Sequence, residues 1–122
     1  QLSAFAAAAV SVPLLNSCTQ AITEDAIAKP IFLSRLFDEK QIDETGKAYI
    51  QKAPSENDEN KLIQLLSDGS SIARSSDQNA IHRYLDQRVK KDFETGNTVV
   101  IKGWVLSVTE TRQCALFSLL QN

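Results

Sequence analysis

The spacing of apolar residues predicts two helices in the stretch from residue 30 to residue 53. Pro30 stands where a helix accepts a first-turn proline, and the wide apolar stripe of residues 30–37 predicts the first helix. The second helix is predicted to end before Pro54. Within it, Gly46 costs about 1 kcal/mol relative to alanine, but it permits a close helix crossing. We therefore expect two helices before the middle of the chain.

Two further helices are indicated by residues typical of helix starts and ends. The hydroxyl of Ser55 is predicted to cap the third helix, and Gly69 is predicted to end it in the left-handed conformation. The fourth helix is predicted to begin at Ser76 or Asp77 and to stop before Gly96, because its apolar residues recur at helical spacing. This fourth helix has the clearest pattern in the chain.

The pattern then changes to β-branched residues. Strands are predicted over residues 98–101 and 104–106, joined by a tight turn with Gly103 at positive φ. Ser107 and Glu110 have the spacing of a capping box, in which each side chain bonds the other's backbone N–H. A β-hairpin followed directly by a capped helix is therefore expected.

The last helix is predicted from Val108 to about Leu120, with Cys114, Ala115, Phe117 and either Leu119 or Leu120 buried. The predicted fold class is therefore mostly α, with about five helices and one short β-hairpin before the C-terminal helix. We expect residues 30–122 to form a single helical domain, since no internal repeat is visible and the length suits one core.

The opening residues 1–17 are apolar, too short for a membrane span of about 20 residues, and lack a polar helix face. Their length suits the apolar region of a secretory signal. Residues 15–18 resemble a bacterial lipobox, with Leu15 three residues ahead of Cys18, although Asn16 stands where a small residue is usual. This resemblance implies that Cys18 is lipidated and that residues 18–29 form a tether. The alternative is that residues 1–17 form a buried N-terminal helix, which packs against a partner.

Charge and cysteine content narrow the functional classes. The formal net charge of −2 argues against a nucleic-acid-binding protein, which would normally carry a basic face. The chain has two cysteines, Cys18 and Cys114. If Cys18 is lipidated, Cys114 has no disulfide partner and is expected to behave as a small buried hydrophobic residue.

The sequence offers little catalytic chemistry. His82 is the single histidine, and no paired His or Cys spacing of a zinc or covalent haem site occurs. With four glycines in total, no phosphate-binding loop can be assembled. We therefore predict no catalytic residue, no cofactor and no metal site. The alternative is an enzyme that uses His82 with a nearby acid.

The segment from the hairpin into the last helix contains the single tryptophan, Trp104, followed by Glu110 and Arg112. In one interpretation Trp104 fills the core while Glu110 and Arg112 lie on the surface. In the other, the hairpin presents Trp104 and its neighbours to a partner protein, because Trp and Arg are favoured anchors of protein interfaces. Trp104, Glu110 and Arg112 are thus the candidate partner-contact residues.

The apolar leader and the segment at residues 31–51, with Phe32, Leu33 and Ser34 followed by Gly46 and Tyr49, resemble a family of exported accessory proteins. These are the gluconate 2-dehydrogenase subunit 3-like small subunits of membrane-associated flavin dehydrogenases, with twin-arginine-type leaders. The resemblance implies a non-catalytic subunit that is exported with a flavoprotein partner.

We therefore expect an exported accessory subunit of the bacterial cell envelope, lipid-anchored at Cys18, that binds a partner protein and no nucleic acid. The alternative is a free-standing helical envelope lipoprotein that binds a small ligand or polymer.

Overall fold

The structure, a computed structural model, describes residues 26–121. The signal-like residues 1–17 and the proposed lipidation site Cys18 lie outside the described residues. Residues 26–28, which the sequence pattern placed in the tether, are buried in the core. Their segment is held by Gln113, whose side-chain amide donates to the carbonyl oxygens of Ile27 and Lys29, both at 3.2 Å.

The described residues from Leu33 onward form four α-helices, a two-stranded antiparallel sheet and three 3₁₀ turns. The helices and strands are α1 (Glu39–Lys52), α2 (Glu59–Ser67), α3 (Gln78–Thr95), β1 (Thr98–Ile101), β2 (Trp104–Ser107) and α4 (Val108–Gln121). The 3₁₀ turns are Leu33–Arg35, Pro54–Glu56 and Ser71–Arg74. The fold is thus mostly α with one hairpin before the last helix, as the sequence predicts. Among the described residues, no helix has the length and apolar character needed to cross a bilayer.

The first predicted helix is one 3₁₀ turn, Leu33–Arg35, instead of an α-helix. The reason lies in the next residues: Asp38 is extended and forms a capping box with Gln41, which fixes the start of α1 at Glu39. α1 then ends before Pro54, as predicted.

The predicted cap at Ser55 is wrong. Asp58 caps α2, since its carboxylate accepts from the backbone N–H of Lys61 at 3.1 Å. Ser55 lies in the Pro54–Glu56 turn, which the extended backbone of Asp58 separates from α2. At the other end Gly69 is left-handed as predicted, with φ +73°, but Asp68 precedes it in the same conformation at φ +53°.

Helix α3 has the predicted caps. Asp77 accepts from the backbone N–H groups of Asn79 and Ala80 at 3.0 and 3.3 Å, and Gly96 ends the helix at φ +76°. This helix also caps α2: Arg88 donates to the carbonyl oxygens of residues 65 and 66 at 2.9 and 2.8 Å. Side chains of α3 therefore satisfy carbonyl groups that the end of α2 leaves free.

The hairpin follows the predicted register. Thr98 pairs with Ser107, and Ile101 pairs with Trp104. Both turn residues are left-handed, Lys102 at φ +52° and Gly103 at φ +86°, as a two-residue hairpin turn requires. β2 runs to Ser107, one residue beyond the predicted strand end.

The principal helix interface is the crossing of α1 over α4. Gly46 lies at this crossing, and a Cβ atom added there would overlap the carbonyl oxygen of Cys114 and lie 2.8 Å from the backbone N of Ala115. The absence of a side chain therefore lets the two backbones touch, which confirms the close crossing expected at Gly46.

Candidate partner-binding surface

Trp104 stands at the start of β2, beside the hairpin turn, and is 49% exposed. One edge of its indole contacts the ring of Phe37 at a centroid distance of 5.2 Å and an interplanar angle of 74°. Phe37 is itself buried, so the contact fixes the indole against the body of the protein while its other side meets solvent.

Two valines extend the exposed apolar area of the hairpin. Val100 and Val105 are cross-strand partners, 55% and 59% exposed. Because side chains alternate along a strand, these two share one face of the ribbon, while Ile101 and Leu106 point to the other face and are buried. Trp104 pairs with Ile101 and therefore belongs to that other face, where it is half-exposed beside the turn. We call the exposed apolar side chains of the hairpin, Val100 and Val105 on one face and Trp104 on the other, the hairpin surface. The valines were missed in the sequence, although each strand has three apolar residues in succession, so that at least one of them faces the solvent side.

Glu110 does not lie on this surface, because it is 3% exposed. It forms the predicted capping box: its backbone N–H donates to Ser107 Oγ at 3.0 Å, and its Oε1 accepts from the backbone N–H of Ser107 at 3.3 Å. Burial raises the pKa of the Glu110 carboxyl above its ordinary value; the bonds from Ser107 oppose this, and the charge of Asp92 adds to it.

Asp92 gives the start of α4 a second carboxylate that sequence reasoning missed. Its Oδ2 accepts from the backbone N–H of Thr109 at 2.8 Å, and its Oδ1 accepts from the side-chain amide of Asn97 at 3.2 Å. The signal in the sequence was its spacing from Leu85, which places Asp92 on the buried face of α3. Both carboxylates lie at the positive end of α4, where the helix dipole favours negative charge.

Arg112 is held inside the protein by Glu56. Its Nε and Nη2 donate to the two carboxylate oxygens of Glu56 at 3.0 and 3.2 Å, and the hydroxyl of Tyr49 donates to the same carboxylate at 3.0 Å. The side chains of Arg112 and Glu56 are 18% and 14% exposed. This cluster joins α1, α4 and the Pro54–Glu56 turn.

The pKa values of this cluster reflect the pairing. Burial acts to raise the pKa of Glu56, but the hydrogen bonds and charge of Arg112 hold it below the ordinary value. Burial, with the nearby Glu56 carboxylate, raises the pKa of Tyr49 to about 12 against the opposing charge of Arg112. At neutral pH the cluster is therefore a carboxylate, a guanidinium and a neutral phenol.

The three candidate residues are not assembled into one surface. Trp104 is half-exposed and does not fill the core, whereas Glu110 and Arg112 are engaged in the interior and do not lie on the surface. The first interpretation, with Trp104 in the core and Glu110 and Arg112 on the surface, is therefore the reverse of the structure. The second agrees with the exposure of Trp104, but Glu110 and Arg112 are not exposed as contact residues. The other exposed apolar residues of the hairpin are Val100 and Val105, on the opposite face of the ribbon from Trp104.

His82 lines a small cavity together with Asp86 and with Glu110 and Gln113 of α4. The cavity volume is about 30 Å³, which is room for one or two water molecules. Among residues 26–121 there is no cluster of three or more His, Cys, Asp or Glu side chains suited to a metal ion. Cys114 is fully buried, and burial with the nearby Glu110 raises the pKa of its thiol.

Comparison of the chain with protein-family models, curated proteins and solved structures finds no match. The geometry of the described residues and the sequence resemblances are thus the basis for the functional proposal.

Ser107→Ala is expected to lower the free energy of unfolding by about 1 kcal/mol, because it leaves the backbone N–H of Glu110 without its cap. Chemical denaturation measures the effect. Ser70→Ala is the matched control: Ser70 caps the N–H of Ile72 at 3.3 Å in an exposed 3₁₀ turn, where we expect a loss below about 0.5 kcal/mol. Equal losses in the two variants would contradict the importance of the capping box at α4.

Proposed function

We propose that this chain is an exported, lipid-anchored, non-catalytic accessory subunit, which binds a partner protein through the hairpin surface. The observation that carries the proposal is the exposure of three large apolar side chains, at 49–59%, on one short hairpin. Val100 and Val105 form an exposed apolar pair on one face of the hairpin, and Trp104 is half-exposed on the other. Exposed apolar groups gathered in one short element are typical of protein interaction sites. The resemblance of residues 31–51 to flavin dehydrogenase small subunits suggests a flavoprotein as the partner.

The construction of the hairpin supports a docking role. Trp104 is held by the ring of Phe37, and β1 and β2 are fixed by their register and by the left-handed turn. A partner therefore meets side chains that are already ordered, so that binding costs little conformational entropy. Tryptophan is also among the residues that contribute most to interface affinity.

The alternative of a free-standing lipoprotein that binds a small ligand receives less support. The small cavity beside His82 has a volume of about 30 Å³, much less than the several hundred Å³ of a typical ligand pocket. The larger depressions of the described surface, of about 310 to 580 Å³, are open to solvent and do not enclose a ligand. The alternative remains an outcome of the experiment below.

The experiment is to express the precursor, with its natural upstream residues and a C-terminal tag, in a bacterial host. Mass spectrometry of the N-terminus then shows whether Cys18 carries acyl chains. Affinity purification shows whether a flavoprotein accompanies the chain in stoichiometric amount. An unmodified chain that retains residues 1–17 would overturn the anchor, and a chain purified alone would overturn the subunit role and favour the free-standing lipoprotein.

Variants test the surface itself. Val100→Ser with Val105→Ser is expected to lower recovery of the partner at least about tenfold, because it removes apolar contact area without touching the core. Phe93→Ser is the matched control, since Phe93 is equally exposed at 49% but lies on α3. Partner recovery that falls only in the Phe93 variant would assign the interface to α3 instead.

A further inference from the structure

A second exposed apolar area lies in the segment that precedes α1. Ile31, Phe32 and Leu36 are 42%, 60% and 54% exposed. Phe32 and Leu36 have right-handed helical backbone on either side of the Leu33–Arg35 turn, so residues 32, 35 and 36 lie on one side of it. We call Ile31, Phe32, Arg35 and Leu36 the outward patch.

The outward patch is held in place by the inward side of the same turn. Leu33 and Phe37 are buried at 2% and 8% exposure, and the backbone N–H of Phe37 donates to the carbonyl oxygen of Leu33 at 2.7 Å. The Ser34 hydroxyl and backbone N–H both donate to the carbonyl oxygen of Pro30, at 2.8 and 2.9 Å. The exposure of the apolar side chains is therefore built into a packed turn.

The charges within the segment that carries the outward patch have one sign. Residues 29–37 contain two basic residues, Lys29 and Arg35, both exposed, and no acidic residue. Acidic residues close to this segment are Asp38 and Glu39, at the start of α1, and Asp86, which lines a cavity with Ile31 and Phe32. Exposed apolar side chains interspersed with basic ones are typical of protein segments that lie in the interface of an anionic bilayer. Arg35 can keep its guanidinium among phosphates while Phe32 and Leu36 enter the acyl boundary.

The position along the chain agrees with this chemistry. The described residues begin at Ala26, and the stretch from Cys18 to Ala26 reaches at most roughly 30 Å when fully extended. A lipid on Cys18 would therefore keep the outward patch close to the bilayer surface.

We propose that the outward patch lies against the anionic lipid surface of the membrane, which leaves the hairpin surface to the partner protein. The proposal rests on the proposed function in one respect: the lipid anchor brings the domain to the membrane. The contact with lipid itself depends on residues 29–37 alone. The lipid anchor holds the chain near the membrane, and the outward patch sets which face of the domain meets it.

The test uses the full chain carrying Cys18→Ser, so that no lipid is attached, with vesicles of phosphatidylcholine alone or mixed with phosphatidylglycerol. Because Trp104 is the single tryptophan, Trp104→Phe with Phe32→Trp moves the fluorescent reporter to the outward patch. Brominated lipids are expected to quench the reporter at position 32 in the mixed vesicles, and to quench the native Trp104, which packs on the buried Phe37, clearly less. The apolar residues 1–17 are identical in both proteins, so they do not produce this difference.

Vesicle sedimentation adds a second measure. Phe32→Ser with Leu36→Ser, and separately Arg35→Glu, are each expected to weaken binding to the mixed vesicles about tenfold. Val100→Ser with Val105→Ser is the control and is expected to change nothing. Absence of vesicle binding, binding without quenching at position 32, or quenching of the native Trp104 as strong as that at position 32 would each overturn the proposal. Acylation of Cys18 and recovery of the partner are measured separately, in the precursor. Failure of the proposed function is therefore distinguishable from failure of the lipid contact proposed for the outward patch.

Discussion

Gly46→Ala is expected to lower the free energy of unfolding by about 3 kcal/mol or more. The added Cβ would overlap the backbone of Cys114 on α4, and neither backbone can yield without moving one of the two helices. Helix propensity alone predicts the opposite sign, a gain of about 1 kcal/mol. Urea denaturation followed by circular dichroism measures the free energy of unfolding. A decrease shows that packing dominates, and an increase shows that helix propensity dominates.

Gly69→Ala is the matched control for this prediction. Gly69 has no atom within 4 Å of the added Cβ but lies at φ +73°, so the same substitution tests backbone strain without a clash. We expect a loss of about 1 kcal/mol there, clearly smaller than at Gly46. A stabilised Gly46→Ala variant, or one no worse than Gly69→Ala, would show that α1 and α4 are not in backbone contact.

Glu56→Gln is expected to lower the free energy of unfolding by about 2–3 kcal/mol at neutral pH. The substitution keeps the size of the side chain but leaves the guanidinium of Arg112, 18% exposed, without its charge partner. It also replaces one of the acceptors for the Arg112 donors with an amide nitrogen. Glu44→Gln is the control, because its pair with Lys102 is 3.7 Å long and exposed, and we expect less than about 0.5 kcal/mol there.

The same pair predicts a dependence on pH. The pKa of Glu56 is lower in the folded protein than its ordinary value of 4.5, so the unfolded chain takes up the proton first as the pH falls. The stabilisation by Glu56 is therefore fully present above about pH 5 and is lost as the pH falls through the lowered pKa. A stability difference between wild type and Glu56→Gln that stays constant from pH 7 to about pH 3 would contradict the ion pair.

The caps of the helices could be predicted where the capping residue and the apolar spacing agree. Asp77, Gly96 and the Ser107–Glu110 box meet this condition, because each local signal adjoins a long periodic segment or a change from strand to helix. Ser55 does not, since it competes with Asp58 for the same helix start. Because serine and aspartate are both favoured N-cap residues, local preference alone could not show which of them begins α2.

The candidate surface was only partly predictable. Trp104 stood out as the single tryptophan, but its half-exposed position depends on Phe37, a residue distant in sequence. Glu110 was correctly predicted as a capping residue and also considered as a contact residue, and its burial decides between these roles. Arg112 is engaged by Glu56, which lies in a turn that the sequence pattern did not indicate.

The sequence by itself determined the mostly helical fold class, the hairpin before α4, and the left-handed turn at Gly103, because each depends on neighbouring residues and on periodic apolar positions. Only the tertiary structure decided that Asp92 and Glu110 share the start of α4, that Arg112 pairs with Glu56, and which apolar side chains remain in solvent. The physical reason is that burial and ion pairing depend on which helices pack together. One contact at Gly46, between the backbones of α1 and α4, fixes much of that packing.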